Sequence, residues 1–356
     1  MKTDAVVIGS GPAGALAALL LAREGVRTLL VERAVFPRHK VCGCCLAPGG
    51  QSVLARSGAS GVLDGAPAVR TLALRHQSGR VDARTPAYRV IDRATMDTRL
   101  VELATQAGCV TRFGVGARVT DDGVDVDGDI VRAGVVLCAD GLAGSSLRGR
   151  EGFGWDVRPA SRIGVGCVVD AVEGDEPDAI TMCVGHDGYC GVARLADGRA
   201  VVAAALTTSS VRGGGGGAGD AMERLMSENG VHARLERRGM RSAPTLTRRR
   251  TGVEERGRVF VVGDASGYVE PFTGEGMSWA LRAGEMVRDH ALRALEGTYE
   301  RGAWASAVGG ERGRATLGCR AVTAVLRRPA LTGVCARAAR LAPGLASAVA
   351  RRVVAA

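Results

Sequence analysis

The alternation of apolar and polar positions divides the chain into recognisable elements. Asp4 to Ile8 predicts a short buried strand, GSGPAG (Gly9 to Gly14) a glycine turn, and Ala15 to Glu24 an apolar helix. Val26 to Val31 predicts a second strand that ends on Glu32. Pro37, Pro48 and the glycines rule out a regular helix from Arg33 to Gly50, which reads as a loop running from the second strand, and a short helix is expected at Gln51 to Ser57. Residues 69–91 alternate as a hairpin about Ser78-Gly79. A helix follows from Ile91 to Gly108, capped by Asp92, with Met96, Leu100, Leu103 and Ala107 on one face. Short strands then lead to Val135–Cys138, which runs into ADGLAGSSLR.

From Ile163 to Thr207 strands succeed one another without helices, predicting an antiparallel sheet. RGGGGGAG (Arg212 to Gly219) contains a second G-x-G-x-x-G, but no acid-ended strand follows it, so it reads as a linker before a helix at Asp220 to Glu228. A last strand, Gly257 to Asp264, precedes a helix opening near Gly276 and running to about Leu295. Beyond Thr298 the pattern is of amphipathic basic helices interrupted by Pro329 and Pro343. The expected architecture is α/β, a Rossmann-like domain with an inserted antiparallel β-sheet domain and C-terminal helices. The Rossmann-like domain would be built from residues 1–70, 92–155 and 251–297. A hairpin at 71–91 and the sheet at 156–250 would form the substrate domain, and 298–356 a basic helical region.

A strand, a G-x-G-x-x-G turn, a helix and an acid about 20 residues further on form a dinucleotide-binding fingerprint. Gly9 makes the tight turn, Gly11 admits a pyrophosphate to the backbone, and Gly14 lets the helix pack on the sheet. The helix N-terminus offers unpaired N–H groups to phosphate. Glu32 is placed to accept hydrogen bonds from a ribose and would repel a 2′-phosphate. The fingerprint alone leaves FAD and NAD(P) both open.

Composition narrows the setting. The 356 residues are 46% hydrophobic and 24% charged, which marks a globular chain. No charge-free apolar run is long enough to span a bilayer, and a signal peptide would require cutting through the nucleotide turn, so the cytoplasm is the expected location. The net charge of +10 is concentrated at the end, where ten arginines after residue 300 face one acid, Glu311. Such a tail suits contact with an anionic membrane surface, or is only a solvated Arg-rich face. With 3% aromatic residues, base-stacking platforms for nucleic acid are not expected. The ten cysteines and five histidines show no zinc spacing, so no metal is expected.

GSGPAG with Glu32, CADG at 138–141 and GDASGYVEPFTGEG at 263–276 together resemble the FAD-dependent oxidoreductases of the glutathione-reductase-like class, which includes p-hydroxybenzoate-type hydroxylases and geranylgeranyl reductases. GEGM and the loop KVCGCCL are most similar to the geranylgeranyl reductase branch. Gly267 stands close behind the GDA triplet where the hydroxylases usually have a histidine, and the halogenases' W-x-W-x-I-P motif is absent. The resemblance implies FAD as cofactor and NAD(P)H as a transient electron donor. It implies cofactor contacts from Gly9, Gly11, Ala13, Gly14, Glu32, Arg33, Cys42, Gly43, Cys45, Arg93, Ala117, Asp264, Gly274, Gly276 and Met277. Cys44 and Cys45 depart from the family pattern, where acidic and glycine residues are common.

Catalytic candidates are Cys42 and Cys44, as a thiol pair able to exchange electrons or donate a proton, and Glu275, as an acid or water-orienting group. Packed small residues and a helix cap are the plainer readings of the same positions. Two reactions remain open: reduction of carbon–carbon double bonds in an apolar isoprenoid or lipid-like substrate, and hydroxylation of a phenolic or polyketide-type substrate with NAD(P)H and O2.

Overall fold

The computed structural model describes residues 3–77, 79–212, 217–236, 239–270, 272, 274–326 and 329–355. A six-stranded sheet forms the first layer. Its spatial order is Glu254–Glu255, Val259–Val261, Val135–Cys138, Ala5–Ile8, Thr28–Glu32 and Val110–Phe113, all pairs parallel except the antiparallel edge strand Glu254–Glu255. Strands buried on both faces become continuous apolar runs, which is why AVVI, TLLVE and VVLC show no alternation.

One face of this sheet is covered by helix α1 (Pro12–Arg23), with α2 (Pro48–Arg56) and α3 (Arg93–Gln106) joined to it through one core cluster. A three-stranded sheet, Ala117–Val119, Val124–Val126 and Asp129–Val131, covers the other face through Val119, Val124 and Val126. Helix α1 starts at Pro12, inside the glycine turn, because proline lacks only an N–H that the first turn leaves unpaired anyway. The same reason moves the start of α2 back to Pro48. In α3 Asp92 caps Thr95 N, as its position predicts, but the buried face is Met96, Asp97, Leu100, Val101 and Ala104, with Leu103 and Ala107 at its margin.

The second layer is an eight-stranded sheet in the order Arg241–Thr245, Ile163–Val169, Ala200–Leu206, Gly188–Arg194, Ala179–Gly185, Ala68–His76, Gly79–Val90, Cys45–Leu46. It is not wholly antiparallel. Ala179–Gly185 lies parallel to Ala68–His76, because the chain leaves the hairpin, passes through the first layer and re-enters beside it. Of the predicted turn, Ser78 lies outside the described residues. Behind the sheet lie α4 (Thr208–Arg212) and α5 (Gly217–Ser227), the latter burying Met222, Leu225 and Met226. Gly213 to Gly216 lie outside the described residues, whereas Gly217 and Gly219 belong to the first turn of α5 rather than to a linker.

Helix α6 (Gly276–Glu296) crosses α1 so closely that a Cβ on Gly284 would stand 2.4 Å from Ala13 O. Helices α7 (Ala303–Leu326), α8 (Pro329–Leu341) and α9 (Pro343–Ala355) complete the chain, with Pro329 and Pro343 opening helices rather than interrupting one. The start of this region is tied into the first layer. Trp304 is fully buried and donates its indole N–H to Val261 O at 3.0 Å, and Tyr299 donates to Glu254 at 2.6 Å. Among the described residues no helix is long and apolar enough to cross a membrane.

Candidate cofactor and substrate cavity

A cavity of about 1170 Å³ runs along the C-terminal edge of the first sheet and on between the second sheet and the last two helices. Its polar end is built by the first forty residues. Gly9 has a φ of +98°, and a Cβ there would fall 2.5 Å from Ala139 O; one on Gly14 would fall 1.9 Å from Gly9 O. Both positions exclude a side chain because backbone stands in its place. Gly11 differs: a Cβ would meet only the side-chain tips Arg93 Nη2 at 3.5 Å and Arg38 Nη2 at 3.8 Å, and the residue lines the cavity. Gly11 is also the N-cap of α1, with no side chain capping the first turn. That leaves N–H donors and the positive helix end facing the same space.

Beside this turn lies a buried charge network. Glu32 Oε2 accepts from Ser10 N and Ser10 Oγ, both at 3.1 Å, and Oε1 accepts from Ala34 N at 3.0 Å. Arg38 Nη2 bridges Glu32 at 3.4 Å and Asp97 at 3.2 Å, and Asp97 in turn takes both arms of Arg93, at 2.9 and 2.8 Å. Burial works against the Glu32 carboxylate, but Arg38 and the two backbone donors hold it below its ordinary range. Arg93 stays charged against burial because of Asp97, whereas burial pulls Lys40 down.

At the far side of α1 two more carboxylates approach. Asp140 follows strand Val135–Cys138 and accepts from Ser146 N at 2.7 Å. Asp264 stands in the turn after Val259–Val261, where burial raises its carboxyl to about 6 against the pull of Arg93 and Lys40.

The loop between the layers supplies three thiols. Cys42 Sγ accepts the Cys44 N–H at 3.3 Å, and Cys45 Sγ donates to Gly43 O at 3.1 Å. A hydrogen bond from the Cys44 thiol lowers Cys42 to about 7, while the same contact and burial push Cys44 well up. Beyond them the cavity becomes apolar, with Leu72, Leu74, Ile180, Met182 and Leu246 on the sheet side. Ala338 of α8, Ala346 of α9 and Ala342 between them line the same cavity.

Of the residues singled out in the sequence, Gly9, Gly11, Ala13, Glu32, Arg33, Cys42, Gly43, Cys44, Cys45, Arg93, Ala117, Asp264, Gly274, Gly276 and Met277 line this one cavity. Gly14 lies beneath it, at the helix–strand contact. Glu275 does not line it. Its side chain is buried near Ser278 and Arg282, and Oε1 has no hydrogen-bond partner among the described residues. Pro271 and Thr273 of the GDASGYVEPFTGEG motif lie outside the described residues.

Arg38, Lys40 and Asp97 line or support the polar end without having been singled out, whereas Asp140 also lines it and belongs to the CADG motif read from the sequence. A signal for Asp97 exists: it falls four residues after Arg93 in the register of Leu100 and Ala104, a charge where an apolar residue is expected. The buried pair Arg162–Glu270, at 2.7 Å, carried no such signal; it braces the second sheet against the turn before α6.

The residues fit an FAD molecule. Arg38 Nε and Nη1 and Asp140 Oδ1 are buried without a hydrogen-bond partner among the described residues, and all belong to groups on the cavity wall. Such atoms are costly unless something polar reaches them. Glu32 would hold the ribose, Gly11 with Arg38 and Arg93 the pyrophosphate, and Asp264 with the Gly274–Met277 turn the isoalloxazine end.

Comparison with known proteins gives a matching answer. Residues 2–142 match the model of an FAD-binding domain. The chain is 29% identical over 194 residues to a menaquinone reductase of Mycolicibacterium smegmatis, covering 49% of this chain and 46% of that protein. It is 28% identical over 317 residues to digeranylgeranylglycerophospholipid reductase 2 of Methanothermobacter thermautotrophicus, covering 83% and 79%. The match thus spans under half of the first relative and about four-fifths of the second. The structure superposes on a flavin-dependent brominase with a TM-score of 0.80 at 16% identity, covering 99% of this chain and 93% of the other, a likeness of fold.

Proposed function

The chain belongs to the FAD-dependent flavoprotein superfamily, and on that footing we propose that it is an oxidoreductase that reduces carbon–carbon double bonds of an extended apolar, isoprenoid-like substrate. The observation that carries this reading is the continuity of the cavity: the polar end fitted to FAD opens directly into a channel walled by Leu72, Leu74, Ile180, Met182 and Leu246. An apolar chain entering it would lose water along its length, the main driving force for its binding. Bound FAD supplies hydride transfer, and the protein supplies position and field. The N-terminus of α6 and the Asp264 turn would set the charge around the isoalloxazine end. The thiols of Cys42 and Cys44 would face its junction with the apolar channel.

NAD(P)H is the proposed reductant, bound transiently. The proposed route of the substrate is from a membrane surface. In support, Arg337, Arg340, Arg351 and Arg352 are exposed beside exposed Leu341 and Val349 on the helices that wall the channel. Arg327 and Arg328 of the basic tail lie outside the described residues.

Anaerobic incubation of the FAD-loaded protein with NADPH or dithionite and a polyprenyl lipid tests the reading, with the product analysed by mass spectrometry. A gain of two hydrogens per double bond is expected. Oxygen consumption with a product heavier by one oxygen atom would replace this reading with hydroxylation.

A further inference from the structure

We propose that Cys42 and Cys44 form a reversible dithiol–disulfide couple in the wall of the cavity, exchanging with small-molecule disulfides and dithiols. Both residues are free thiols here, two positions apart in a loop, and both line the cavity. Cys44 has a φ of +56°, a left-handed conformation uncommon outside glycine, and this turns its N–H back onto Cys42 Sγ at 3.3 Å. Gly43 between them has open space where a side chain would be, with nothing within 4 Å of a Cβ. Arg93 stands near Cys42 and favours its thiolate, whereas Cys44 is buried and kept protonated. That asymmetry divides the labour of an exchange reaction: one accessible nucleophile and one resolving thiol. Cys45 is excluded as the partner. It is fixed in the Cys45–Leu46 strand by pairing with Val90, and burial pushes its thiol up.

The exchange balances without the flavin. The Cys42 thiolate attacks one sulfur of a disulfide RSSR, forming a mixed disulfide and releasing RS⁻, which takes a proton. Cys44 then gives up its proton and attacks the Cys42 sulfur, forming the internal disulfide and releasing the second RSH. Two protein thiols are oxidised and one RSSR is reduced to two RSH. The couple stands whether or not the reaction proposed above is correct, because its test contains no apolar substrate.

The FAD-loaded protein is incubated with oxidised glutathione, quenched in acid, alkylated with N-ethylmaleimide and mapped by mass spectrometry. Wild type is expected to lose alkylation at Cys42 and Cys44 together, with no retained glutathione, and to regain both after dithiothreitol. Cys44→Ser is expected to trap one glutathione on Cys42, and Cys42→Ser to leave Cys44 reduced. If either variant fails to fold, the wild-type map alone decides. Retention of both thiols in wild type, stable glutathione on wild-type Cys42, or loss of thiols only at exposed Cys335 would overturn the couple.

Discussion

Arg312, on α7, donates from Nη2 to Ser266 Oγ at 2.7 Å, fastening the C-terminal region to the turn that presents Asp264. Burial lowers the guanidinium to about 10, and the nearby Asp264 favours its charge. The contact leaves little room for change, since a Cβ on Gly267 would lie 2.7 Å from the same Nη2. Arg312→Ala is expected to destabilise the protein by about 1.5–3 kcal/mol, the range for a hydrogen bond to a charged group. FAD affinity should weaken with it. Thermal melts with and without FAD check both, and an unchanged melt would separate α7 from the cofactor turn.

The fingerprint glycines should fail in two different ways. Gly14→Ala places a methyl 1.9 Å from Gly9 O, so α1 must shift off the sheet and the protein is expected to misfold. Gly11→Ala meets only the tips of Arg93 and Arg38 at ordinary contact distance, and its φ of −71° suits alanine. This variant should fold with a near-native melt yet bind FAD at least about tenfold more weakly, because the added methyl stands where the pyrophosphate must approach. Flavin fluorescence titration and circular dichroism distinguish the two outcomes.

Glu275 sets a pH dependence of stability. Burial raises its carboxyl from 4.5 to about 7 in the folded protein. Between those values the folded state holds the proton more tightly than the unfolded state, so this group's contribution falls as pH rises from about 4.5 to 7 and is level above that. Glu275→Gln, neutral throughout, should gain on wild type by an amount on the order of 2–3 kcal/mol between pH 5 and pH 8. Denaturant melts at the two pH values measure it, and equal differences at both would refute it.

Filling the apolar channel should act on substrate alone. Ala346→Phe narrows the wall contributed by α9, far along the chain from Glu32 and Arg93, so FAD binding is expected to stay as it is. Turnover should then shift toward shorter polyprenyl chains, read as a change in the kcat/KM ratio of about tenfold between a long and a short substrate. A ratio left where it was would place the substrate elsewhere.

What the sequence made legible was local. Gly9, Gly11 and Glu32 lie within one strand–helix–strand unit, where spacing and side-chain chemistry are coupled through neighbours along the chain, and the Asp264 turn is announced by its own strand. Arg38 escaped notice because its partners, Glu32 and Asp97, meet it only after α3 has folded against the first layer. Glu275 misled for a related reason: its place at a helix start says nothing of whether its side chain reaches the cavity, and it is buried without lining it. The alanines of the last helices carry too little apolar area to mark a cavity wall, and their role depends on the sheet opposite.

The parallel seam between Ala68–His76 and Ala179–Gly185 sets an order of assembly. The early hairpin has no neighbour on that side until nearly ninety further residues have emerged, and those residues include α3 and two strands of the first layer, Val110–Phe113 and Val135–Cys138. During synthesis the hairpin must therefore wait with an unpaired edge, open to association with other chains. Neither layer can be excised as a contiguous fragment, so a protease nick in the connection should release no independently folded piece.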